Sequence, residues 1–346
     1  MGWSKTMGRL GGALALAAAV ATTACAQAPT QSETANAAFS FALIGDLPYS
    51  PAQLAPVDRM IDAINADAAV RFVLHAGDVK GGAERCDDAL LRERHAQLQR
   101  VRSALVYTVG DNEWTDCHRV NNGAWLPTER LAFVRQLFFA DPGRSGGQQP
   151  IALTAQPAVD AAHGAYVEHA LFVRQRVVFS SVHVVGSANN LAPWSGIDAA
   201  DSAAAPRADR LAEFNARQAA ALAWIDRTFD EAQQRDAAAV VLLWQANPGI
   251  DKPVGDVART GFEAVLAKLK SRSAAFGRPV LLAHGDFHEL LIDQPLARDA
   301  EPAPKVSRFT RLQGIGSPRI HWVKVTVDPK TSEVFSFEAK RVEGND

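Results

Sequence analysis

A chain of 346 residues has room for one or two domains. Its 47% apolar and 21% charged residues exclude a disordered chain, a collagen-like chain and a multi-span membrane protein. With 36 Lys plus Arg against 38 Asp plus Glu the formal charge is -2, so no basic excess points to nucleic acid, and three cysteines are too few for a disulfide scaffold that a core of this size does not need.

Residues 1–26 read as a secretory signal. Lys5 and Arg9 form its basic start, Leu10–Val20 its apolar run, and Thr22-Thr23-Ala24-Cys25-Ala26 a small-residue cleavage region. The apolar run is shorter than the roughly 20 residues a membrane span requires. Ala24-Cys25 also resembles a bacterial lipoprotein cleavage site, although Thr22 stands where such sites usually carry Leu. The expectation is an exported protein, periplasmic or secreted, that meets a membrane only if Cys25 is lipidated. Loss of residues 1–26 leaves 320 residues and, with Lys5 and Arg9 gone, a charge of -4. Cys86 and Cys117 then remain, either as two thiols or as a disulfide that an oxidising compartment permits.

A polar stretch, residues 27–38, leads into one domain over residues 39–346. Phe39–Ile44 is a strand, and Leu54, Val57, Met60, Ile61 and Ile64 follow helical spacing. Phe72–Leu74 and Leu105–Val109 are further strands with a helix over Glu84–Arg100 between them. Leu131, Val134, Leu137 and Phe138 mark another helix. This β-α-β rhythm predicts parallel strands in an α/β fold. Tyr166–Val173 and Val177–Val184 form a hairpin, and Leu211–Phe229 is a long amphipathic helix. Val240–Leu243, a helix at Phe262–Leu269, and Val280–Ala283 follow. Ile320–Val327 and Val334–Phe337 close the chain as a second hairpin. Two stretches, Asp141–His163 and Gly186–Ala208, lack periodicity and read as long loops, either functional or disordered.

Four apolar runs end in the same dipeptide: Gly45-Asp46, Gly77-Asp78, Gly110-Asp111 and Gly285-Asp286. The first three aspartates are 32 and 33 residues apart, each interval fitting one β-α-β unit of about 30 residues. They therefore stand side by side at the carboxyl ends of parallel strands, where open α/β sheets bind ligands. A single Gly-Asp is explained as a helix N-cap. Four at strand ends, with a histidine nearby, point to carboxylates gathered around a cation.

Order and spacing resemble the calcineurin-like metallophosphoesterase superfamily, from Phe39 to Phe337. The resemblance implies a four-layer α/β/β/α sandwich, two divalent metal ions and hydrolysis of phosphate esters. Asp46 matches the first aspartate ligand, with Pro48 where the family often has His and Tyr49 next to it as a substrate contact. Asp78 matches the aspartate that bridges both metals. Gly110-Asp111-Asn112-Glu113 matches Gly-Asn-His-Glu, placing Asp111 at the Asn ligand and Asn112 at the catalytic His. Gln245, with Asn247 behind it, falls where a lone His is expected. His284-Gly285-Asp286-Phe287-His288 matches Gly-His-x-His, so Asp286 replaces the first His and His288 keeps the second.

The implied metal shell is Asp46, Asp78, Asp111, Gln245, Asp286 and His288. Its oxygen-rich chemistry favours Mn or Mg, with iron as a further option. The resemblance implies a metal-bridging hydroxide attacking a small phosphorylated substrate in line. Asn112 cannot donate a proton as an imidazolium would; His284, and secondarily His118, are the candidates for that role, and Asn189 is a candidate substrate contact. His75, His321, Trp114 and Trp194 are expected in the core, and Lys80 in solvent or on phosphate. The protein is expected to be a monomer with no nucleic-acid partner. The rival expectation is a catalytically degenerate protein that keeps the fold and acts as a binding domain.

Overall fold

The structure, a computed structural model, describes residues 1–2, 37–298 and 304–345. Residues 3–26 of the segment read as a signal, Cys25 among them, lie outside the described residues. Among the described residues no helix is long and apolar enough to cross a membrane.

Among the described residues, twelve strands form two sheets. The first has the order β12-β11-β1-β2-β3, with β1 Phe39–Ile44, β2 Val70–His75, β3 Ala104–Tyr107, β11 Trp322–Val327 and β12 Phe335–Lys340. The second has the order β4-β5-β6-β7-β8-β10-β9, with β4 Thr154–Ala155, β5 Ala170–Arg174, β6 Val177–Ser181, β7 Ala239–Leu243, β8 Val280–His284, β9 Leu291–Asp293 and β10 Phe309–Gln313. Strands β1, β2 and β3 are parallel, as are β6, β7, β8 and β10. The terminal hairpin β11–β12 joins the first sheet antiparallel to β1.

Alternation along each strand explains the layering. In β1, Phe39, Phe41 and Leu43 face the second sheet, whereas Ala42 and Ile44 face the helices Leu54–Ala66, Asp88–Leu98 and Pro127–Phe138. In β7, Val241 and Leu243 face inward and Val240 and Leu242 pack on the helices Ala208–Gln234 and Glu263–Phe276. Both faces of both sheets are thus covered, which is why these strands read as unbroken apolar runs. Aromatic rings lock the sheet interface: Phe41 stacks on Phe72 at 5.3 Å between ring centroids, and Phe72 meets Phe179 edge-on at 5.0 Å. The result is the four-layer α/β/β/α sandwich.

One strand has no counterpart in the sequence reading, and one long loop takes a definite form. Strand β10 escapes the apolar pattern, because Arg311 and Gln313 interrupt it; both are buried and paired with other polar groups. The stretch at Gly186 is ordered: Ser187, Ala188 and Asn189 form a left-handed turn with φ of 51°, 55° and 53°.

Candidate functional site

The parallel strand order brings β1, β2 and β3 side by side, and β7 and β8 face them across the sandwich. Three of the four Gly-Asp strand ends turn out of the sheet at positive φ: Asp46 and Asp78 both have φ 55°, and after β8 Asp286 has 83° and His288 62°. Asp tolerates this conformation better than most side chains. Neither Asp46 nor Asp78 caps a helix, since the N-caps of the helices that follow are Gln53 and Asp87.

The carboxylates are held instead by the neighbouring Gly-Asp motifs. The backbone N–H of Asn112 donates to Asp78 Oδ1 at 3.0 Å, and the N–H of Asp286 donates to Asp46 Oδ1 at the same distance. The glycines make room for this interlock. A Cβ on Gly110 would stand 2.0 Å from Asp78 Oδ1, one on Gly285 2.3 Å from Asp46 Oδ2, and one on Gly186 2.6 Å from Asp111 Oδ2. Glu113 ties the second and third motifs from below. Its Oε1 accepts from the N–H of Gly110 at 2.7 Å, the N–H of Asp78 at 3.1 Å and the Tyr107 hydroxyl at 2.5 Å.

Three neutral donors converge on Asp78 Oδ2: the Tyr49 hydroxyl, Asn112 Nδ2 and Gln245 Nε2, each at 3.1 Å. Asn112 Nδ2 also lies 3.2 Å from the Tyr49 hydroxyl, so Tyr49 and Asn112 face the same space. Gln245 Oε1 accepts from the N–H of Gly186 at 2.7 Å. His288 Nε2 stands 3.7 Å from Asp46 Oδ1, with its ring anchored through Nδ1, 2.7 Å from the Ser317 carbonyl. Asp286 Oδ2 accepts from the N–H of Asn247 at 2.7 Å.

Electrostatics follow from crowding. Burial, then Asp286 and Asp111, push the Asp46 carboxyl well above the usual range; burial, then Asp111, Glu113 and Asp46, do the same to Asp78. Burial also raises Asp111, and burial with Asp111 nearby raises Asp286 to about 7. The buried Lys80 faces Glu113 and Asp78, and its Nζ donates to the Gly81 carbonyl.

Two residues at this edge have no obvious sequence signal. The Ser187 hydroxyl lies 2.9 Å from Asp111 Oδ2 and 2.7 Å from Asp116 Oδ1. Asp116 is buried, which with Asp111 nearby raises it to about 7. The left-handed turn that carries Ser187 is what aims it at both carboxylates.

Two expected contacts stand elsewhere. His284 is fully buried and pushed down to about 3 by burial; its Nδ1 lies 2.9 Å from the Gly285 carbonyl. Its neighbour Ala283 faces the sheet interface, so period-2 alternation turns His284 to the helix side. Asn189 is consumed by the scaffold, accepting from Arg217 and donating to the Gly261 carbonyl. His118 accepts from the N–H of Gly196, and burial pushes it down to about 4. His75, Trp114 and Trp194 are core residues.

Cys86 and Cys117 form a disulfide with Cα atoms 5.7 Å apart. Their sulfurs lie 3.6 and 3.7 Å from the carbonyl oxygen of Asn112, so the bridge sits directly behind the third motif.

The residues fit a hard cation by chemistry, since oxygen dominates the donor set and the carboxylates raise one another's pKa. Among the described residues, no group of three or more His, Cys, Asp or Glu side chains is arranged to hold an ion as it stands. A cation would have to draw the carboxylates away from the Tyr49, Asn112 and Gln245 donors.

No protein-family profile matches the chain, and no curated protein matches its sequence. Solved structures do match in fold. PhoD aligns with a TM-score of 0.50 and 13% identity, covering 84% of this chain and 64% of PhoD. The protein TT1561 of Thermus thermophilus aligns at 0.43 with 8% identity, covering 89% of this chain and all of TT1561. The NAD nucleotidase NadN of Haemophilus influenzae aligns at 0.43 with 13% identity over 88% of this chain, which spans about half of NadN. The two packed sheets and their helical covers are thus those of the metallophosphoesterase fold.

Proposed function

We propose that this chain is an exported phosphoesterase that hydrolyses phosphate mono- or diesters with divalent cations at the strand-end carboxylates. The observation that carries this reading is the interlock: Asp46, Asp78, Asp111 and Asp286 come from four separate strand ends and crowd on one buried edge beside His288. A buried cluster of like charges is costly unless a cation offsets it. Asp46, Asp78, Asp111, Asp286 and His288 would hold Mn or Mg, with iron as a further option, and Gln245 would join if its carbonyl turned from Gly186. Such cations supply positive charge to the phosphoryl oxygens and acidify water.

The chain's own groups do the rest. Tyr49 and Asn112 present O–H and N–H donors beside Asp78, where they orient a phosphoryl oxygen. Lys80 and the disulfide hold the loop behind them. The disulfide and the signal-like residues 1–26 support an oxidising compartment.

A second reading, a binding domain without turnover, is favoured by the amides of Asn112 and Gln245 at positions where imidazoles are expected. The test is turnover of chromogenic mono- and diesters by the mature protein loaded with Mn or Mg, beside Asp78→Asn. Turnover that Asp78→Asn abolishes is the expected result. No turnover with either metal, alongside tight phosphate-ester binding, would establish the binding domain instead.

A further inference from the structure

A cleft of about 860 Å³ opens directly from the carboxylate edge. Ser187, Asp286 and Asn247 belong to both: Ser187 contacts Asp111, and the N–H of Asn247 holds Asp286. Away from this shared wall the cleft turns apolar. Val257 is 85% exposed and Phe287 63%, large values for such side chains, and Leu290 and the buried Phe262 stand beside them. Val257 and Phe287 come from separate loops, one after β7 and one after β8, and converge on one space. Exposed apolar side chains gathered in a concavity mark a ligand groove.

The charges in the cleft are committed elsewhere. Arg311 is buried against Asp293 and lies 2.9 Å from Asp251, and Lys252 also pairs with Asp251. Glu289 pairs with Arg319. Each of the two lining cations, the buried Arg311 and the half-exposed Lys252, already stands beside a carboxylate.

We infer that this cleft receives the leaving group of the substrate, and that the leaving group is an uncharged aromatic alcohol. The inference rests on the phosphoesterase reading and names its substrate class. It also answers the absence of an imidazole at Asn112. A phenol ionises near about pH 10, far below an aliphatic alcohol, so its oxide departs without a proton from the protein. In the balanced step, water oxygen bonds to phosphorus and the phosphorus–oxygen bond to the ring breaks. The electron pair stays on the phenolate oxygen, which takes its proton from solvent as water's proton is released. Phe287 and Val257 would flank the ring while the phosphoryl group sits against the carboxylate edge.

Two non-hydrolysable probes separate the subsite from the phosphoryl site: phenylphosphonate and methylphosphonate, titrated calorimetrically into the Mn-loaded mature protein. Phenylphosphonate is expected to bind about tenfold more tightly, the gain from burying one ring in an apolar cleft. In Val257→Asp, and independently in Phe287→Ala, that ratio is expected to fall to about one. Equal binding of the two probes by the unmodified protein overturns the subsite while leaving the phosphoesterase reading standing. Binding of neither, with no ester turned over, overturns both. A tenfold preference that survives both substitutions also overturns the assignment, because the ring then lies elsewhere.

Discussion

Reduction of the Cys86–Cys117 bridge is a stringent test of how the site is held, because it breaks one bond and adds only two hydrogens. The cysteines are 31 residues apart, and the loop they close contains β3 and the Gly110-Asp111-Asn112-Glu113 turn. Chain-entropy arithmetic for a loop of that length gives a loss of about 3.7 kcal/mol when the bond opens. A domain is stable by only about 5–15 kcal/mol, so this is a large share. Urea unfolding of oxidised and reduced protein, read by tryptophan fluorescence, would measure it as a lower extrapolated stability for the reduced form. The effect should reach function as well: both sulfurs rest against the Asn112 carbonyl, and Asn112 places both an N–H and an amide on Asp78. Ester turnover should therefore fall on reduction at temperatures where the protein is still folded. A stability difference below about 1 kcal/mol, with activity intact, would refute the argument that the bridge fixes the third motif.

Three further outcomes follow from particular contacts, and a fourth from a buried proton. Gly110→Ala puts a Cβ 2.0 Å from Asp78 Oδ1 and should cost more than about 3 kcal/mol in urea unfolding; Gly143→Ala, whose nearest neighbour would be 3.4 Å away, should be close to neutral. Tyr49→Phe removes a donor to Asp78 and should lower kcat/KM about tenfold. His284→Asn should leave kcat within about twofold even if Tm falls, because its ring is turned to the helix side; a large loss of kcat would restore it as the proton donor. Asp116 is raised to about 7 by burial and by Asp111, so the stability tied to its proton is present below its ordinary pKa near 3.8 and is lost as pH rises through 7. Asp116→Asn in chelator should therefore raise Tm more at pH 8 than at pH 5, whereas a uniform shift at both would contradict the assignment.

What is legible in the sequence is whatever burial on two faces and repeated local motifs write into it. Strands β1, β7 and β8 are covered on both sides, so they appear as continuous apolar runs, and the ends of β1 and β8 carry Gly-Asp pairs. Strand β10 is invisible because hydropathy cannot see satisfaction. Arg311 is buried through its pairing with Asp293 and Asp251, and Gln313 through its bond to Asn247. The left-handed turn at Ser187 is invisible for a different reason. Positive φ is normally announced by glycine, and here Ser187, Ala188 and Asn189 adopt it without one. The placement of His284 is legible in principle: alternation from Ala283, which faces the sheet interface, assigns it to the opposite face.

The Gly-Asp repeat also acquires a reason that no single motif contains. The glycine of one motif is the cradle for the aspartate of another, Gly110 for Asp78 and Gly285 for Asp46, so neither residue of the pair serves its own neighbour. That geometry holds one oxygen each of Asp78 and Asp46 on backbone N–H groups, and it leaves the other oxygen of Asp78 to neutral side-chain donors. Those donors are Tyr49, Asn112 and Gln245, a phenol and two amides, which orient oxygen but do not deliver a proton as an imidazolium would. A site so built places the demand for departure on the substrate itself, and the apolar cleft beside Asp286 is shaped for an alcohol that meets it.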